Sequence, residues 1–119
     1  MTKILAVDDS ASMRQMVTYT LSGAGYDVTD ACDGQQALDA AKNKQFDVVV
    51  SDVNMPVMDG ITLIKELRKL AQYRTTPLLL LTTESSGSKK MEGKQAGATG
   101  WIVKPFNPEQ LLKTIQRVI

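Results

Sequence analysis

The sequence predicts an α/β fold in which a parallel β-sheet carries helices on both faces. Strand-like apolar runs and segments of helical period alternate five times along the 119 residues, the pattern of β–α units wound onto one sheet. The run at 77–81 is apolar throughout, as expected of a strand covered on both faces. The runs at Lys3–Val7 and 46–51 each lead directly into aspartate, Asp8-Asp9 and Asp52. That places acids along the sheet edge where strand ends gather and where open α/β sheets bind ligands.

The first strand is expected at Lys3–Val7. A helix follows with Ser10 or Ser12 as its N-cap, an inner face of Met13, Met16, Val17, Thr20, Leu21 and Ala24, and Gly23 and Gly25 at its end. The second strand spans Asp27–Ala31, and Asp33-Gly34 turns the chain into a helix that buries Ala37, Leu38 and Ala41. The third strand is 46–51, followed by a loop over 52–60 in which Asp59 caps the third helix; Ile61, Ile64, Leu67 and Leu70 form its inner stripe. After the fourth strand at 77–81 comes the weakest helix, 86–96, with Gly87 and Gly93 and little apolar face beyond Met91 and Ala96. A glycine inside a helix costs about 1 kcal/mol relative to alanine, so this helix is expected to be the easiest to move. The fifth strand is 99–103, and Asn107 or Pro108 opens a last helix with Leu111, Leu112, Ile115, Val118 and Ile119 inward.

Composition narrows the function. The length is that of one domain, residues 1–119, large enough to hold a core without disulfides. A formal net charge of +1 gives no bulk drive toward nucleic acid or membrane. Cys32 is the sole cysteine and reads as a small apolar filler, which fits a reducing cytosol. No signal peptide and no membrane-spanning apolar run is read, and a cytoplasmic location is expected. Histidine is absent, which excludes histidine nucleophiles, histidine metal ligands and an internal phosphohistidine.

If the first and third strands are adjacent, Asp8, Asp9 and Asp52 face one crevice. Each pair of charges about 4 Å apart costs on the order of 4 kcal/mol at an effective dielectric near 20, so the cluster calls for a cation or protonation. An oxygen-only set suits Mg²⁺, which takes one or two carboxylates plus phosphate oxygens. Asp52 can then act as a nucleophile and form an acyl phosphate. Lys104, after the fifth strand, would neutralise phosphoryl oxygens, and Thr82 or Thr83 at the end of the fourth could hydrogen-bond one of them. Taken singly, Asp-Asp-Ser is often a turn and helix cap, Asp52 a loop acid and Lys104-Pro105 a loop. The combination is far more specific, because each member ends a different strand.

Asp8-Asp9, the run Ser51-Asp52-Val53-Asn54-Met55-Pro56-Val57-Met58-Asp59-Gly60, Thr82 and Lys104-Pro105-Phe106 closely resemble the receiver domain of two-component response regulators. The resemblance spans the chain and keeps the order and spacing of the motifs; within the family it is similar to the stand-alone chemotaxis regulators. It implies a flavodoxin-like (βα)5 three-layer sandwich with a five-stranded parallel sheet of order 2-1-3-4-5. It further implies Asp52 as phospho-acceptor, and Asp9 and Asp52 as direct Mg²⁺ ligands. Asp8 would bind the ion largely through water and Asn54 through its backbone carbonyl. Lys104 matches the lysine that pairs with the phosphoryl group, Thr82 the switch hydroxyl, and Lys104-Pro105 a bond expected to be cis. Asn54 and Glu84 match the two positions that tune phosphoryl lifetime. One position departs: the switch aromatic on the fifth strand, usually Tyr or Phe, is Trp101, whose bulk opposes a full inward swing.

The function implied is a phosphorylation-switched signalling module. Its partners would be a histidine kinase as phosphohistidine donor, a downstream protein such as the flagellar motor switch, and a phosphatase; nucleic acid and membrane are not expected. It would catalyse only its own aspartyl phosphorylation and dephosphorylation. With Ile119 ending the last helix, no DNA-binding output domain is expected. The alternatives within the fold are a phosphorelay shuttle or a receiver fragment of a larger response regulator. A flavin-binding electron carrier is disfavoured because Asp8-Asp9 would repel flavin phosphate. An aspartate-nucleophile phosphatase is disfavoured because the second acid it wants two residues after Asp52 is Asn54. Lys89, Lys90 and Lys94 read as a solvated helix face. The methionines read mostly as core, with Met55 and Met58 placed in the phosphorylation loop for partner contact.

Overall fold

The structure is a computed structural model that describes all residues except 83–86 and 105, and all their side chains except those of 87–89. Five strands, β1 (Lys3–Val7), β2 (Asp27–Ala31), β3 (Val48–Asp52), β4 (Leu78–Thr82) and β5 (Gly100–Val103), form one parallel sheet in the order β2-β1-β3-β4-β5. Four helices connect them, α1 (Ala11–Gly23), α2 (Gly34–Asn43), α3 (Gly60–Lys69) and α4 (Gly87–Ala96), and α5 (Pro108–Val118) follows β5. The order is that of the flavodoxin-like sandwich, and a core fills each side of the sheet. Alternate residues of β1 divide between the two cores. Leu5 and Val7 join Val49, Leu78 and Leu80 with α2 and α3; Ile4 and Ala6 join Val48, Val50, Leu79 and Leu81 with α1 and α5.

Local chemistry sets the helix starts. Ser10, Asp33 and Asp59 each accept a backbone N–H of the first turn, from Met13, Gln36 and Thr62. Asn107 and Gln110 cap α5 reciprocally, with Pro108 at the first helical position, where its missing N–H costs nothing. Asp33 and Gly34 therefore act as cap and first helical residue, not as a separate turn.

Several boundaries and faces differ from the sequence expectation. β3 begins at Val48 and takes in Asp52, and β4 ends on Thr82. Leu63 is buried in α3, while Leu70 caps its C-terminus and is only half-buried. Ala24 is exposed as the C-cap of α1, and Ile119 is exposed after α5 has ended. An unforeseen 3₁₀ turn, Ala71–Tyr73, sends the Tyr73 ring into the core. Its hydroxyl accepts the Phe46 N–H at 3.2 Å and shares its proton between the carbonyls of Ala41 and Lys44. A polar tip so satisfied can be buried completely.

Candidate functional site

The topology brings the strand ends together. Asp8 follows β1, Asp52 ends β3, Thr82 ends β4 and Lys104 follows β5. Because β1 and β3 are neighbours, carboxylate oxygens of Asp8, Asp9 and Asp52 all lie within 4.8 Å of one another. Asp8 and Asp52 are buried and Asp9 is exposed. Lys104 spans the two buried acids, its Nζ 3.2 Å from Asp8 Oδ2 and 3.3 Å from Asp52 Oδ1. Its backbone N–H donates to the Thr82 carbonyl at 2.7 Å, which fixes the strand end from which the side chain reaches back.

Each acid has further partners. Asp8 Oδ1 accepts the Ser10 N–H at 2.9 Å, and the Asp8 N–H donates to the Ala31 carbonyl. Asp52 Oδ1 accepts the Val53 N–H at 2.9 Å. Burial raises the Asp52 pKa; Lys104 works against it and the charge of Asp8 adds to it, leaving the carboxyl above its ordinary value. The set offers oxygen donors only, and one ammonium does not balance three carboxylates, so the cluster fits a hard divalent cation of the Mg²⁺ type.

The loop after β3 is shaped around this edge. Gly60 lies so close to Asp52 that a Cβ would collide with the Asp52 carbonyl oxygen, and the Gly60 N–H donates to the Val53 carbonyl. Val57 is exposed and has φ +70°, while Met58 N–H donates to the Pro56 carbonyl. That is a three-residue γ-turn of the strained hand at a β-branched residue. Asn54, two residues beyond Asp52, is exposed. Met55 and Met58 are half-buried against the core between the sheet and α2 and α3, so they serve packing more than the sequence suggested.

Thr82 is buried and Trp101 half-buried; together with Val53, Leu80 and Lys90 they line a cavity of only about 10 Å³. Among the described residues the side chains leave no room there for an indole ring. Lys90 sits over the Trp101 ring, 5.4 Å from its centroid, a cation–π contact that replaces the solvated face expected for this lysine. Thr83, Glu84 and the Lys104–Pro105 bond lie outside the described residues, as do Ser86 and the Lys89 side chain.

Three residues with roles here carried no signal in the sequence. Arg14 of α1 donates to the Asp8 carbonyl, Lys90 covers Trp101, and Arg68 ties α3 to the chain after α4. Each acts across elements, so only the tertiary fold identifies its partner.

Residues 4–116 match the family model described as the response regulator receiver domain. The chain is 61% identical to chemotaxis protein CheY4 of Vibrio cholerae, whose crystal structure superposes with a TM-score of 0.97 over 100% of this chain and 99% of that one. It is 30% identical, with a TM-score of 0.92 over 98% of this chain and 96% of the other, to the receiver domain of sensor histidine kinase PA1611 of Pseudomonas aeruginosa, crystallised with a magnesium ion in its active-site cleft. Among curated proteins it is 41% identical over 117 residues to the probable transcriptional regulator ycf27 of Porphyridium aerugineum. That match covers 98% of this chain and 48% of the relative, so the chain spans about half the length of that protein.

Proposed function

The chain belongs to the response regulator receiver family, and from that membership we propose that it is a phosphorylation-switched signalling protein of the chemotaxis type, a single receiver domain with Asp52 as its phospho-acceptor. The observation that carries this reading is the position of the Lys104 ammonium between the buried carboxylates of Asp8 and Asp52, with Asp9 beside them.

Asp52 attacks the phosphorus of a phosphohistidine. An O–P bond forms, the P–N bond breaks, and the imidazole leaves with the electron pair. These 119 residues hold no histidine, so the phosphohistidine donor, a histidine kinase, lies outside them. Asp8, Asp9 and Asp52, with the backbone carbonyl of Asn54, would hold Mg²⁺; the magnesium-bearing cleft of the PA1611 receiver supports that choice of ion. The ion, when bound, neutralises the carboxylates and draws phosphoryl oxygens toward the nucleophile. Lys104 pairs with those oxygens, and the Thr82 hydroxyl turns toward them. Asn54 and Glu84 tune how long the acyl phosphate lasts. The chemistry is confined to Asp52 itself, so the protein is a switch and not an enzyme acting on other substrates.

Movement of Thr82 and Lys104 is transmitted to α4, β5 and Trp101, which change the surface shown to a cytoplasmic protein partner. The likeness to CheY4 favours the flagellar motor switch as that partner and a phosphatase as the reset. A second reading, a receiver from a longer regulator, is favoured by the half-length match to ycf27.

The test is titration of Trp101 fluorescence, the only indole in the chain. Mg²⁺ is expected to change the emission, and beryllofluoride or a small acyl phosphate to change it further in wild type but not in Asp52→Asn. A donor response that survives in Asp52→Asn would place the modification at another residue.

A further inference from the structure

Asp9 is the most exposed member of the acid cluster, and its position depends on the turn between β1 and α1. That turn is held at its peptide planes. Arg14 Nη1 donates to the Asp8 carbonyl oxygen at 2.8 Å, which fixes the Asp8–Asp9 peptide. Asp8 Oδ1 takes the Ser10 N–H, which fixes the next. The guanidinium is itself oriented from β2, where Asp30 Oδ2 accepts Arg14 Nε at 3.2 Å. The Arg14 side chain is 22% exposed, and it borders the small pocket beneath the turn formed with Val7, Asp8, Val17 and Leu81. The contacts form one chain from Asp30 on β2, through Arg14 on α1, to the backbone that carries two of the three carboxylates.

We propose that Arg14 is a positioning residue for the cation site, acting through the Asp8–Asp9 peptide and oriented by Asp30. The proposal rests on the metal-binding reading above, and its physics makes a prediction of unexpected sign. A cation beside a divalent-ion site repels that ion, so simple electrostatics says that removing Arg14 tightens Mg²⁺ binding. Positioning says the opposite. Loss of the group that orients a ligand weakens metal binding by about tenfold or more.

Arg14→Met, Arg14→Lys and Asp30→Asn are titrated with Mg²⁺ by calorimetry and Trp101 fluorescence, with melting temperature recorded. Hydrogen exchange of the Ser10 amide is followed without metal. Arg14→Met is expected to bind Mg²⁺ about tenfold more weakly, to exchange the Ser10 amide faster, and to melt near wild type. Arg14→Lys, which can still donate to the carbonyl, restores part of the affinity, and Asp30→Asn falls between. Unchanged or tighter Mg²⁺ binding in Arg14→Met overturns the proposal, and so does Ser10 exchange at the wild-type rate. If Arg14→Met does not fold, wild-type affinity in both Arg14→Lys and Asp30→Asn overturns it, and graded loss supports it. Wild-type protein that binds no Mg²⁺ would sink the functional reading instead, and the metal-free exchange arm would still decide whether Arg14 holds the turn.

Discussion

Asp52 sits at a balance of opposed influences. Burial and the neighbouring Asp8 raise its pKa more than Lys104 lowers it, so the folded value lies above the ordinary 3.8. A carboxyl of this kind holds its proton more tightly when folded. Its contribution to stability is therefore present below the unfolded pKa and lost as pH rises through the folded one. In metal-free protein at a pH above that folded value the ionised Asp52 is then a net burden. Asp52→Asn is expected to melt higher than wild type in EDTA at that pH, and the gap to close on acidification below the unfolded value, as calorimetric scans across the acid range would show. Val57 makes a second residue-scale prediction. Its φ of +70° suits glycine, and a strained non-glycine conformation costs on the order of 1 kcal/mol or more. Val57→Gly should raise stability in urea by about 1 kcal/mol with Mg²⁺ affinity unchanged. At this scale the acids and Lys104 were legible because each stands directly after a run that announces a strand. Val57 was not, because a positive φ at a β-branched residue leaves no mark in composition.

The elements were legible to the extent that their periodicity was strong. α2 and α5 bury Ala37, Leu38, Ala41, Leu111 and Ile115, as their spacing requires. Errors fell at the ends, where Ala24 and Ile119 continue a helical pattern that the backbone abandons. α4 reads as weak, and part of its hold on the fold comes from outside it. The Arg68 guanidinium on α3 donates to the carbonyls of Tyr73, Thr76 and Gly97, the last of these in the positive-φ residue just beyond α4. Hydrogen bonds to a charged group contribute more than neutral ones, and three carbonyls would lose their donor together. Arg68→Met should therefore lower the urea unfolding free energy by about 3 kcal/mol. The loss should appear as faster amide exchange in the chain after α4 before it appears at the carboxylate edge of the sheet. Equal acceleration at both places would mean that Arg68 supports the whole domain and not the far end of α4. Arg68 thus fastens the chain just beyond α4, and Lys90 of α4 is laid on Trp101.

At the scale of the whole molecule, the sequence disclosed that strands are covered on both faces but not which strands are neighbours. Apolar runs in β1, β3 and β4 look alike, and the order β2-β1-β3-β4-β5 came with the family resemblance, not with any residue pattern. That order is what converts two distant stretches, residues 8–9 and residue 52, into one site. It would also give a bound divalent ion a measurable hold on folding. Unfolding separates Asp52 from Asp8 and Asp9, so the unfolded chain keeps little affinity for a divalent ion, and a ligand of the folded state stabilises by RT ln(1 + [L]/Kd). At Mg²⁺ about a hundredfold above its Kd the gain is about 2.7 kcal/mol, or a rise in melting temperature of about 10 °C for a domain of this size. Asp9→Asn should shrink that rise while leaving the metal-free melting temperature equal or higher, because Asp9 adds repulsion and no buried contact among the described residues. If Mg²⁺ leaves the melting temperature of wild type unmoved, or lifts Asp9→Asn by the same amount, the three carboxylates do not act as one cation site.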